Sequence, residues 1–150
     1  MKNISLILCE DISVDRDTGQ WSTHKHMEKI NLVVPPERKE EGKAFSIKGR
    51  FKLLSFWSKE KGDEERENFK IKCELLDDEG KKLMESPEYE VPLHKGPITK
   101  HRISLDGLVI KEGGQYTLKL LKEEESGSYR EENSYPFEVL IEEKEETEKS

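Results

Sequence analysis

Along most of this chain apolar and polar residues alternate one by one. The clearest run is Phe69, Ile71, Cys73 and Leu75, interleaved with Lys70, Lys72 and Glu74. A period of two sends successive side chains to opposite faces, so the run predicts a half-buried strand. The same period carries Tyr116, Leu118 and Leu120 after the turn Glu112-Gly113-Gly114, and predicts a central strand. Ile103 and Leu105 mark the inward face of a strand over 98–108, and Tyr135, Phe137, Val139 and Ile141 mark the last strand.

Other segments depart from simple alternation. Over 4–14, Ile4, Leu6 and Leu8 read to one face and Ser5, Ile7, Cys9 and Asp11 to the other, which predicts a strand covered on both sides. A turn over 15–20 leads to a return strand over 21–34. Its irregular pattern predicts a bulge or break near Met27-Glu28, and Pro35-Pro36 ends it, since proline cannot donate to a ladder. Over 44–57, Phe45, Ile47, Gly49, Phe51 and Leu53 share one face. Leu54 and Phe56 then read in the opposite phase, which predicts a one-residue slip from a bulge or a change of sheet.

The connections are charged. Residues 58–68 read as a mobile loop, 77–80 as a turn and 123–133 as a hairpin loop carrying Gly127. A short segment over 81–85 precedes a strand at Tyr89, Val91 and Leu93, where Pro92 points to an edge position. The sum is about eight strands with frequent turn signals, and no apolar window at helical spacing competes. The expected fold is therefore all-β: a single antiparallel β-sandwich over 1–141, with 142–150 as a charged, disordered tail.

Composition narrows the function classes. Hydrophobic residues make up 32% and charged residues 39%, with a mean hydropathy of -0.90. That approaches a disordered composition, but grouping the apolar residues into strands allows a core. A net charge of -7 argues against nucleic acid and anionic membrane as partners. The apolar run before Cys9 is short, and Glu10-Asp11 stand where a signal peptide needs small residues, so a cytoplasmic protein is expected. Cys9 and Cys73 lie inside apolar runs and read as buried thiols.

Two resemblances follow from the residues. Gly114-x-Tyr116, with Leu108 upstream, is similar to the tyrosine corner of immunoglobulin-like sandwiches, where the phenol oxygen bonds backbone at the bend between sheets. The Asp of the usual pattern and the paired Cys and Trp of antibody domains are absent, and a C2-like sandwich is the other assignment. Over roughly residues 4–141 the chain also resembles a family of small uncharacterised bacterial domains. The landmarks are 7–12, Gly19, Lys29-Ile30, the acidic-Gly turn at 76–81, Gly114-Gln115-Tyr116 and Pro136-Phe137-Glu138-Val139. His24-Lys25-His26 departs from that pattern. The resemblance implies a fold and no activity.

Candidate chemistry is sparse. His24 and His26 are two apart on one strand and share a face, which is half of a zinc site; Glu10 or Asp11 on the neighbouring strand could add to it. Their plain reading is two solvent-facing histidines, and no cofactor is expected. Asp15, Asp17, Asp77 and Asp78 sit in turns, where acids suit either calcium or ordinary turn chemistry, the latter favoured. Phe56 and Trp57, beside a charged loop, are the candidate contacts for a partner or a sugar. No nucleophile turn, phosphate-cradling loop or Cys-x-x-Cys is present. The expected function is a non-enzymatic protein-interaction module with a protein partner. The alternatives are a glycan- or metal-binding sandwich and, third, an enzyme of unrecognised type.

Overall fold

The computed structural model describes residues 1–14, 17, 21–34, 45–61, 63, 68–93 and 96–143. These form ten strands: β1 (Lys2–Val14), β2 (Trp21–His26), β3 (Lys29–Val34), β4 (Phe45–Ser58), β5 (Asn68–Leu76), β6 (Lys82–Glu85), β7 (Tyr89–Pro92), β8 (Ile98–Ile110), β9 (Gly114–Glu123) and β10 (Tyr129–Glu143). One sheet has the order β2-β1-β4-β8. The other runs β3-β10-β9-β5-β6, with β7 also on β5. Every pairing is antiparallel except β3 with β10, which is parallel.

The inward phases meet between the sheets. Leu6, Leu8, Phe51, Leu53, Ile103 and Leu105 from one sheet pack with Ile71, Cys73, Leu75, Leu118, Leu120 and Phe137 from the other. Each such side chain contributes about 1.5–3 kcal/mol on burial. The strand at Tyr116 is central, as its pattern predicts, lying between β10 and β5.

Ten strands rather than about eight arise from two places. Residues 81–85 supply β6. The segment 21–34 is two strands in different sheets, and Met27-Glu28 is the crossing between them. The crossing is pinned on both sides: Met27 N donates to Leu8 O at 2.9 Å, Glu138 N to Glu28 O at 2.9 Å, and the Tyr135 hydroxyl to Met27 O at 3.0 Å. The irregular pattern there marked a change of sheet.

The slip expected at Leu53-Leu54 does not occur. Leu53 pairs with Ile103 and Leu54 with Arg102 in unbroken register. The irregularity lies earlier, between Lys48 and Phe51. Gly107 accommodates it, since a Cβ there would stand 2.8 Å from the Ile47 backbone oxygen. Leu54 and Phe56 instead lie on the outer face, where they pack with Ile7 and Cys9 as a second, smaller apolar cluster. An apolar residue on an outward phase imitates a phase change in sequence, and only the partner strand distinguishes them.

Two loop boundaries also move. In the charged stretch expected as a loop over 123–133, only 124–128 form the turn; Glu123 ends β9 and 129–133 open β10. The last strand runs to Glu143 rather than 141, since Glu142 and Glu143 pair with Val33 and Val34. The expected tail beyond lies outside the described residues.

The turn from β8 to β9 carries the chain from one sheet to the other. Tyr116 staples it. Its phenol oxygen accepts from Lys111 N and Glu112 N, both at 3.2 Å, and donates to Glu112 O. The ring is buried and stacks on Phe137 at 5.9 Å. This is the tyrosine-corner contact that Gly114-x-Tyr116 implies. Gly114 starts β9 at a φ of 148°, which side-chain-bearing residues rarely adopt.

Candidate functional site

Among the described residues each sheet ends in edge strands, and their lengths differ. β2 and β3 have 6 residues each, and β6 and β7 have 4 each. β8 has 13, and β4 is its only ladder partner among the described residues. An edge strand presents unpaired N–H and C=O groups to another chain, and short strands or prolines blunt that tendency. Pro92 does lie on an edge, in β7. β6 is screened by ions: the Glu85 carboxylate sits 2.6 Å from Lys72 Nζ and 2.9 Å from Lys82 Nζ, which lowers its pKa to about 2. Lys72 also lies over the Tyr129 ring at 4.5 Å. Length and composition thus single out β8.

The side chains of β8 alternate from Ile98 to Asp106, and the phase shifts after it, where Leu108 and Ile110 are buried. Thr99, Ile103 and Leu105 are buried, while Ile98, Lys100, Arg102, Ser104 and Asp106 are exposed. Ile98 is 46% exposed, high for a residue of its size. Ser104 accepts a hydrogen bond from Lys52 Nζ at 3.2 Å. The outward period was legible in the sequence, but its place at a sheet edge was not, because edge position depends on strand order.

Half-way along, His101 turns inward beside the Tyr89 ring, with centroids 5.9 Å apart. Its Nδ1 is buried with no hydrogen-bond partner among the described residues. Burial lowers the imidazole pKa below the ordinary 6.5. The fold therefore favours the neutral ring, so this contribution is complete above pH 6.5 and is lost as pH falls below it. Acidification through this range is expected to lower the melting temperature of the native chain, and a His101→Gln variant is expected to lack that step.

The aromatic pair predicted as a partner contact is not on the surface in the way its position suggested. Trp57 is fully buried. Its ring meets Phe69 edge-on at 4.9 Å, and its indole N–H donates to Ser55 Oγ at 2.9 Å. β4 continues in phase, so Trp57 falls on the core side, and a partner or sugar cannot reach it. Phe56 is half-buried on the outer face against Cys9 and Leu54. The glycan reading loses its main platform.

For the histidines, the register sets His24 opposite Asp11 and His26 opposite Cys9. Cys9 is fully buried within the outer apolar cluster, and His26 is exposed. The side chains of Asp11 and His24 lie outside the described residues. Among the described residues, no three His, Cys, Asp or Glu side chains are placed to hold one metal ion.

The turn acids behave as turn residues. Asp77 Oδ1 accepts from Glu79 N at 3.0 Å and Lys81 N at 2.8 Å, closing the β5–β6 turn. Strand directions bring this turn to the same end of the sandwich as the β1–β2 turn, where Asp17 is exposed and Asp15 lies outside the described residues. A cavity of about 240 Å³ separates the Asp77 turn from the Glu112-Gly113 corner.

The opposite end holds a second cavity, of about 280 Å³, lined by Met1, Glu60, Asp63, Lys122 and Arg130 among others. Asp63 was read as part of a charged mobile loop, yet it is 8% exposed. It accepts from Glu60 N at 2.7 Å and pairs with the Met1 amino group, while Lys122 Nζ donates to Met1 O at 2.8 Å. Burial alone would raise its pKa. The hydrogen bonds from the amino group and from Glu60 N, with the positive charges of Met1 and Lys122, outweigh burial and hold it below the ordinary 3.8. A depressed carboxyl pKa stabilises the fold above 3.8 and is lost as pH falls through the lower folded value. Asp63→Asn is expected to lower the melting temperature at neutral pH, with the gap to the native chain closing below pH 3.8. Glu64 and Glu65, in the same stretch, lie outside the described residues.

Cys9 and Cys73 are both buried, in different clusters, and are not joined by a disulfide. Burial raises the Cys73 thiol pKa, as does Glu74, against the Ser86 hydroxyl that lowers it. Such a thiol is a poor nucleophile at neutral pH. No helix among the described residues is long and apolar enough to cross a membrane.

No family model matches the chain, and no curated protein does. The likeness to small bacterial domains, drawn from residue spacing, therefore yields no family assignment. A solved structure similar to this chain is the soluble domain of PmoD from Methylocystis sp. ATCC 49242 (Rockwell). It shares 11% identity over 89% of this chain and 88% of that one, at a TM-score of 0.41. A likeness of that size carries nothing about site or function.

Proposed function

We propose that this β-sandwich is a non-enzymatic protein-interaction module, and that its β8 edge is the surface a partner engages. One observation carries the reading. A strand of 13 residues ends a sheet with β4 as its only ladder partner among the described residues, while the remaining edges are less than half as long. A segment added to such an edge gains main-chain hydrogen bonds along its length, and the alternating side chains supply selectivity. The outward residues Lys100, Arg102, Ser104 and Asp106 carry both signs of charge. Mixed charge selects among partners, where a uniform apolar edge would aggregate.

The test is photo-crosslinking in host extract with the whole chain. A photoreactive residue replaces Ser104 in one bait and Glu79, in the β5–β6 turn, in another. A protein adduct in good yield from position 104 alone supports the edge as the contact. Equal adducts from both positions, or none from either, overturn it.

A further inference from the structure

The geometry points to a second copy of this chain as an occupant of the β8 edge, paired antiparallel about a two-fold axis through Ser104. This rests on the reading of β8 as an interaction edge and adds the partner.

Two constraints fix the register. Side chains alternate between faces, so a pairing that keeps core residues on the core side joins positions of the same phase. A two-fold axis further requires that if one residue meets another, the reverse contact also forms. Over residues 102–106 an axis at Ser104 satisfies both. On the outer face each Arg102 then stands opposite the other copy's Asp106, so two opposite-charge pairs flank a central Ser104–Ser104 contact. On the inner face each Ile103 stands opposite the other copy's Leu105. Both inner residues are buried core members and both charged residues are exposed. Over residues 102–106 the strand is thus complementary to itself read backwards about Ser104, in charge outside and in apolar character inside; after Asp106 the phase shifts, with Leu108 and Ile110 buried, so the pairing is confined to these five residues. Two four-stranded sheets would join into one of eight strands.

Directly opposed charges in an antiparallel pair attract, and like charges repel. Reversing one member replaces two attractive contacts per dimer with two repulsive ones. Sedimentation velocity over a range of micromolar concentrations measures the result. The native chain is expected to dimerise. Arg102→Glu and Asp106→Arg are each expected to weaken the dimer by about tenfold or more. The combined Arg102→Glu, Asp106→Arg chain exchanges both signs and is expected to recover the native affinity. Because both residues are exposed, the variants are expected to keep the native circular dichroism and melting temperature. Recovery in the combined chain, with loss in both single variants, is an outcome a merely destabilised fold would not give.

A native chain that stays monomeric at the highest concentration overturns the self-pairing. So does a dimer insensitive to both single reversals, since it would form elsewhere. In the monomeric case, a crosslink from position 104 to a different protein would leave the interaction module standing and remove only the second copy.

Discussion

Trp57→Ala is expected to be the most damaging single substitution discussed for this chain, at about 3–5 kcal/mol, the usual cost of removing a large aromatic from a core. The residue is fully buried, its ring fills the space beside Phe69, and its indole N–H bonds Ser55 Oγ. Truncation leaves a cavity between the sheets and takes the donor from Ser55. A small domain has only about 5–15 kcal/mol in total, so the variant is expected to be largely unfolded or to melt far below the native chain. Urea titration measures this directly. Phe56→Ala is the informative comparison, because Phe56 is the neighbour on the outer face and only half-buried. It is expected to cost much less. If the two substitutions cost the same, or Phe56 costs more, the phase of β4 is the reverse of that described.

Tyr116→Phe removes one oxygen atom and is expected to cost about 1–3 kcal/mol, a large effect for so small a change. The phenol oxygen accepts from two backbone N–H groups and donates to one carbonyl at the β8–β9 crossing. Phenylalanine leaves those groups short of their partner in a partly buried corner. Ring packing on Phe137 is retained, so the loss reports the hydrogen bonds alone. Thermal melts of the two proteins check it, and a loss below about half a kcal/mol would mean water replaces the phenol at no cost.

These two residues also show what was legible in the sequence. Tyr116 could be read from its local motif, since a glycine, a spacer and a tyrosine opening an alternating strand suffice to place a corner. The inward phases of β5, of β9 and of β8 as far as Leu105 were legible for the same reason: each is set by a period of two within one strand. Trp57 was not. Its position beside a charged run suggested the surface, and the apolar Leu54 and Phe56 disguised a continuous strand as a slipped one. Two-sided cover of β4 depends on β1, whose Ile7 and Cys9 complete the outer cluster. Asp63 was hidden for a related reason, because its partners, Met1 and Lys122, are distant in sequence. The parallel pairing of β3 with β10 joins segments more than a hundred residues apart, and no local period signals it.

The candidate site shows the same division. That Lys100, Arg102, Ser104 and Asp106 share a face followed from alternation. That their strand ends a sheet followed only from strand order. A functional reading built on edges therefore needed the fold, whereas one built on residue types led to Trp57, which proved to be core.

The central claim is that β8 is an edge strand among the described residues, and amide hydrogen exchange of residues 101–110 tests it most directly. In dilute protein the account predicts alternation along β8. Amides bonded to β4 exchange slowly, those pointing away from β4 exchange fast, and the fast set becomes protected as concentration rises. Uniform slow exchange along β8 in the dilute monomer would mean the edge is already covered, and would contradict the account.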